Sequence, residues 1–299
     1  MKESMLQQLT TDITDWSEYS WEEQVRKPGL WPDVDDLCKL MGLLRRIFFA
    51  GFFAPADLSE EASLAQVRQN ILQAEAILRE QICRGLICGA EGEADSPEVE
   101  AEQKTAAFFR QLPAIRRLLL TDVEAIAMRD PAVSSYGEII LAYPSIRAML
   151  HHRVAHALVG LSVPLIPRII AEYAHSMTGI DIHPAATIGT HFSIDHGTGV
   201  VIGATARIGN HVMLYQGVTL GARNFKLSAD GRPQDFPRHP ILEDRITVYS
   251  NASILGRVTI GHDTVIGGNV WVTSDVPPYS RILQTKPIMQ QGFSDGAGI

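Results

Sequence analysis

Between residues 182 and 272 an Ile, Leu or Val recurs every six positions in three runs. The first is Ile182, Ile188 and Ile194; the second Ile202, Ile208, Leu214 and Leu220; the third Leu242, Val248, Ile254, Ile260, Ile266 and Val272. Because roughly a quarter of the chain is Ile, Leu or Val, thirteen such matches arise by chance far less than about once in a million. A period of six fits neither a helix nor a simple strand. It fits a triangular coil of short parallel strands, with one inward anchor on each face. Ala206, Val212, Val218, Ala252, Val258, Thr264 and Val270 lie four residues after an anchor and suit a second inward position. Three hexads close a coil, so the anchors predict a β-helix of about four coils over residues 179–277.

The grid breaks twice. Two extra residues enter between Ile194 and Val201, in Asp195-His196-Gly197-Thr198-Gly199, and a long excursion, 223–240, separates Leu220 from Leu242. A stacked coil accepts insertions only where they loop outward, and such loops are where binding groups are usually built.

Before residue 179 the apolar spacing changes to three and four, the helical period. Helices are predicted over 36–53, 64–87, 100–109, 113–128, 145–159 and 164–177, with Pro113 opening the fourth and Gly179 stopping the last. Residues 89–97, acidic and Gly-containing, read as a loop. The organisation expected is an α-helical domain at 1–178, a β-helix at 179–277 and a tail at 278–299. Four coils leave open ends and flat faces, so caps or further copies of the chain are expected against them.

Composition narrows the class without choosing the chemistry. The 299 residues carry a net charge of −8 and no dense basic run, which argues against nucleic acid as a partner. Nothing approaches eighteen uninterrupted apolar residues, and residues 1–16 lack a signal-peptide core, so a cytoplasmic protein without a membrane partner is expected. Cys38, Cys83 and Cys88 all precede the repeat and read as buried small hydrophobes.

His196 has two readings from its residues alone. It is a general base on an outward loop, with glycines allowing close approach, or part of a polar turn that absorbs the register slip. Asp181 lies fifteen residues earlier, close to one full coil, where it would hold the imidazole in one tautomer.

In one order along the chain, Asp130-Pro-Ala, Asp181-Ile-His-Pro-Ala-Ala, Asp195-His-Gly-Thr-Gly, Gln216-Gly-Val-Thr-Leu-Gly221 and Arg238-His-Pro240 strongly resemble the bacterial serine O-acetyltransferases. The resemblance covers about residues 130–290, and the repeats alone would indicate only the left-handed β-helix acyltransferases. It implies an α+β chain, helices followed by a left-handed parallel β-helix, that acetylates L-serine from acetyl-CoA with no metal. His196 would be the base and Asp181 its orienting partner. Asp130 and Asp195 would meet the serine ammonium, and Arg238 and His239 the carboxylate. Two carboxylates complement an ammonium, and a guanidinium fork matches a carboxylate. Ala222, Ser250 and Gly268 match positions that bind CoA in the groove between chains, and the Gly221–Ala222 turn would donate to the oxyanion. Arg223 and Lys226 read either as phosphate contacts or as a solvated loop. Also implied are a homotrimer or a dimer of trimers, L-cysteine as feedback inhibitor, and binding of O-acetylserine sulfhydrylase through the C-terminal Ile299. The chain departs from the shorter enzymes in its long excursion, which resembles a long-loop subgroup, and in Ala204, where they carry Glu.

Besides a non-catalytic scaffold that only regulates the sulfhydrylase, for which loss of His196 would be expected, two rival classes compete. One is an acetyltransferase acting on another hydroxyl, in homoserine, a sugar or an antibiotic. The other is a γ-type carbonic anhydrase, which would use His191 and His196 with His183 or His211 nearby. His152 and His156, one helical turn apart, read as a metal clamp or as a packed pair.

Overall fold

Alternating burial at three and four residues builds the helical half of the chain. The computed structural model describes residues 1–19, 31–53, 59–89, 96–224, 228, 231, 234 and 236–285. Among them are seven helices: α1 (Glu3–Thr14), α2 (Val34–Phe48), α3 (Glu60–Gly89), α4 (Pro97–Arg129), α5 (Tyr136–Ala142), α6 (Pro144–Gly160) and α7 (Ile166–Thr178). In α2, Leu37, Leu40, Met41, Leu44, Ile47 and Phe48 form the buried stripe. Its N-cap Asp33 accepts from the Asp36 N–H at 3.0 Å, and acids in the first turn with Arg45 and Arg46 in the last oppose the helix dipole.

Helix α4 runs unbroken through Pro113, where a new helix start is expected from the sequence. Proline removes one backbone bond, but Phe108, Leu112, Ile115 and Leu119 stay buried at spacings of four, three and four, so packing holds the helix across it. Two short helices, α1 and α5, were not legible in the spacing. By packing, the chain divides into two units, Met1–Arg116 with Leu150–Tyr173, and Arg117–Met149 with the residues from Ala174 onward. Among the described residues no helix is long and apolar enough to cross a membrane.

The hexads form the predicted left-handed parallel β-helix. Its first face stacks β1 (Asp181–Ile182), β4 (Val201–Ile202), β7 (Thr219–Gly221), β10 (Ser253–Leu255) and β13 (Trp271–Val272). The second stacks β2 (Thr187–Ile188), β5 (Arg207–Ile208), β8 (Ile241–Leu242) and β11 (Thr259–Ile260). The third stacks β3 (Ser193–Asp195), β6 (Met213–Tyr215), β9 (Thr247–Val248), β12 (Val265–Ile266) and β14 (Arg281–Ile282). Anchors pair with anchors throughout: Ile182 with Ile202, Ile202 with Leu220, Ile194 with Leu214. All thirteen are buried, as are Ala206, Val212, Val218 and Ala252 beside them.

The coil continues past the last anchor of the grid. Val276 bridges to Ile260 and β14 pairs with β12, because the spacing contracts to four between Val272 and Val276 and then returns to six at Ile282. A deletion of two residues therefore hid this rung from the repeat.

Burying one aliphatic anchor is worth about 1.5–3 kcal/mol, and a cavity adds to the loss. Ile254 is fully buried between Leu220 and Val272. Ile254→Ala is expected to lower the free energy of unfolding in urea by about 2–5 kcal/mol; a loss below about 1 kcal/mol would show that the prism interior is not tightly packed there.

Candidate active site

The edge where the third face turns into the first carries the sequence-predicted base. His196 follows β3 with φ +58° and a largely exposed side chain, and Gly197 and Gly199 complete the turn, also at positive φ. A side chain at 197 would be driven to 2.5 Å from Ile180, so glycine lets this turn lie against the coil below. The Gly199 N–H donates to the Gly179 carbonyl at 2.8 Å, which places the loop one layer above the start of β1, where Asp181 stands. The backbone partner of Asp181 is Val201. His196 Nε2 lies 3.9 Å from the carboxylate of Asp195, and no ion pair joins it to Asp181 in this side-chain position.

Asp130 reaches the same place from α4. The Thr121 hydroxyl accepts from the His191 N–H at 3.1 Å, and the Asp122 carboxylate from the Phe192 N–H at 3.1 Å. Arg129 then donates to the His211 carbonyl at 2.7 Å. These three bonds satisfy edge groups of successive coils and fix the end of α4 beside β3. Asp130, the next residue, accepts from the Ala132 N–H at 2.8 Å and from the Tyr143 hydroxyl at 2.6 Å. Those two bonds hold its carboxyl below the usual range, the tyrosine contributing most and the nearby His196 adding a little. The Tyr143 hydroxyl is correspondingly pushed up to about 12. A small open pocket is lined by Arg129, Asp130, Tyr143, Ser193, Asp195 and Met213.

The edge between the first and second faces carries the other predicted group. The Thr205 hydroxyl accepts from the Arg238 and His239 N–H groups at 2.9 and 3.1 Å, and His239 Nδ1 accepts from the Thr205 N–H at 3.1 Å. The His239 ring lies over Gly203, where even a methyl group would fall 1.9 Å from it. Burial, with Arg238 adding to it, lowers this histidine to about 4, so it is neutral with Nδ1 as acceptor. Arg257 donates to the Thr205 and His239 carbonyls at 2.6 and 3.0 Å and, with Arg223 and Arg238, gives the adjacent groove three guanidinium groups.

The predicted residues therefore fall into two sets. Asp130, Asp195 and His196 meet on one edge, with Asp181 one layer below. Ser250 and Gly268 stand in higher coils of that same edge, the Asn269 N–H donating to the Ser250 carbonyl at 2.9 Å. Ala222, Arg238 and His239 stand on another edge, across the first face. Ile299 and Lys226 lie outside the described residues. His191 and His196 sit on different edges, and the rings of His191 and His211 stack at 4.3 Å and 20°, an arrangement for packing rather than for chelation. His152 and His156 pack with ring centroids 5.6 Å apart. Tyr143 and Arg257 were missed in the sequence, since neither lies in a motif; the Tyr143-Pro144 step, which ends one helix and starts the next, was the available signal.

No family model matches the chain. It is 43% identical over 276 residues to the plasmid serine acetyltransferase of Synechococcus elongatus, covering 90% of this chain and 86% of that one. Among solved structures it is similar to serine acetyltransferase isoform 3 of Entamoeba histolytica in complex with cysteine, with TM-score 0.71 and 35% identity over 85% of this chain and 83% of the other. It is also similar to the serine acetyltransferase of Neisseria gonorrhoeae in complex with serine, with TM-score 0.55 and 28% identity over 83% and 97% of the two chains.

The buried neutral His239 gives this region a pH signature. Its pKa is depressed from 6.5 on folding, so its contribution is complete above pH 6.5 and is lost as pH falls towards about 4. The thermal midpoint should decline over that window, and His239→Gln should flatten the decline. An identical slope in the variant would show that His239 is not held neutral.

Proposed function

This chain belongs to the serine acetyltransferase family, and we propose that it transfers acetyl from acetyl-CoA to the hydroxyl of L-serine. The observation that carries this reading is the meeting of Asp130, Asp195 and an outward His196 on one edge of the prism. Asp130 and Asp195 receive the ammonium. His196 removes the hydroxyl proton as that oxygen attacks the thioester carbonyl, then returns the proton to the departing thiolate. Asp181, one layer below, orients the imidazole once a side-chain rotation brings the ring onto it. Backbone N–H groups at Gly221–Ala222 stabilise the tetrahedral oxyanion. No nucleophilic cysteine takes part, and the described cysteines all precede the β-helix.

Arg238 and His239 complete the site on the substrate carboxylate, but they stand across the first face from His196. One prism therefore supplies half of each site from each of two edges, and a threefold assembly, in which a neighbour's second edge faces the first edge of this chain, brings the halves together. Acetyl-CoA then lies in the groove between chains, along Ser250 and Gly268 on one side and Ala222 on the other, with Arg223 and Arg257 near the phosphates. L-Cysteine, which shares the ammonium and carboxylate of L-serine, inhibits by occupying the same place. The three free cysteines fit a reducing, cytoplasmic setting. Binding of O-acetylserine sulfhydrylase through Ile299 belongs to the same proposal.

Thiol release from acetyl-CoA, followed with L-serine, D-serine, homoserine and sugars as acceptors, tests the reading. L-Serine should be the preferred acceptor, and His196→Ala should lower turnover by about two to four orders of magnitude with little change in acetyl-CoA binding. A near-normal rate in that variant, or preference for another acceptor, would overturn it.

A further inference from the structure

The tyrosine at residue 143 has no part in the mechanism above, yet it makes the shortest hydrogen bond to a carboxylate of the site. Its position is strongly fixed. The Tyr143 N–H closes α5 on the Ile139 carbonyl, and Pro144 opens α6 directly after it, so the backbone on both sides is held. The hydroxyl donates to Asp130 Oδ2 at 2.6 Å while the Ala132 N–H holds Oδ1 at 2.8 Å. One oxygen is thus tied by backbone and the other by the phenol. Together they fix the rotation of the carboxylate and leave its remaining lone pairs for a ligand in the pocket that Asp195 also lines.

Without the phenol, Asp130 keeps only its backbone bond from Ala132, and a carboxylate held through one oxygen is free to rotate. Charged groups near it are His196, Glu138 and Asp195, and the two carboxylates among them favour turning it away from the pocket once Tyr143 no longer holds it.

We propose that Tyr143 is a positioning residue that makes the site selective for an acceptor bearing an ammonium, by fixing the rotation of the Asp130 carboxylate so that it faces the substrate. This rests on the serine acetyltransferase reading, and it deepens that reading by naming what separates L-serine from a hydroxy acid of the same length. In this role the tyrosine acts through the Asp130 carboxylate that its hydroxyl holds.

The test compares wild type, Tyr143→Phe and Asp130→Asn with two acceptors, L-serine and 3-hydroxypropionate, which lacks only the ammonium. Wild type should prefer L-serine. Tyr143→Phe should lower kcat/KM for L-serine by about ten- to a hundredfold, mostly through KM, with acetyl-CoA KM and the 3-hydroxypropionate rate within about twofold of wild type. Asp130→Asn should narrow the preference at least as far. If Asp130→Asn narrows it and Tyr143→Phe does not, the positioning role is overturned while the site reading stands. If Tyr143→Phe lowers both acceptors equally or raises acetyl-CoA KM, its part is structural and the proposal also fails. A wild type that does not acetylate L-serine overturns the reading beneath both.

Discussion

The stacking of each coil on the next through parallel backbone bonds is the constraint from which the rest follows. It forces every third strand into register, so that residues far apart in sequence line up along one of three edges. Asp195 lies under Tyr215, and the rings of Tyr215 and Tyr249 stack 4.9 Å apart one coil higher. An edge built this way has little freedom to move, because a shift in one turn must break ladders above and below. The glycines show how tight the register is: a methyl group at 203 would meet the His239 ring, and one at 217 would meet Asn251 at 2.0 Å. A rigid edge holds chemical groups without needing a ligand to order them, which favours catalysis by orientation.

That same rigidity separates the charges that a serine zwitterion needs. The carboxylates proposed to meet its ammonium stand at the end of α4 and on β3, and Arg238, proposed to meet its carboxylate, stands across the first face. Keeping them apart prevents Arg238 from neutralising Asp130 or Asp195 within one chain. It also leaves each edge incomplete, so assembly and activity become one event under the proposed scheme. Helix α4 is the link that makes the first half possible, since its last turns satisfy edge groups at His191, Phe192 and His211 before presenting Asp130.

Much of this was legible in the chain, for a physical reason. A hexad anchor has one geometric meaning, so thirteen of them specify three faces, their order and the two places where loops leave the coil. The breaks then marked His196 and Arg238. What stayed hidden depended on packing or rotamers rather than on period. Pro113 looked like a helix start, yet buried residues on both sides carry α4 through it. A deletion of two residues concealed Val276 and β14 from the grid. Tyr143 acts through one hydrogen bond to Asp130, and Arg257 through two to backbone carbonyls of other coil segments, and no spacing records such bonds. Asp181 was placed near His196 by coil length, which locates the layer but not the direction of an exposed imidazole.

The central claim is that one site is shared between the His196 edge of one chain and the Arg238 edge of its neighbour. Mixing subunits measures this most directly. His196→Ala and Arg238→Ala, each inactive alone at low serine, would be unfolded and refolded together in equal amounts. The shared-site account predicts recovery of about a quarter of wild-type activity, the fraction of interfaces that pair two intact edges. Mixed assemblies of wild-type size with no activity above the separate variants would contradict it.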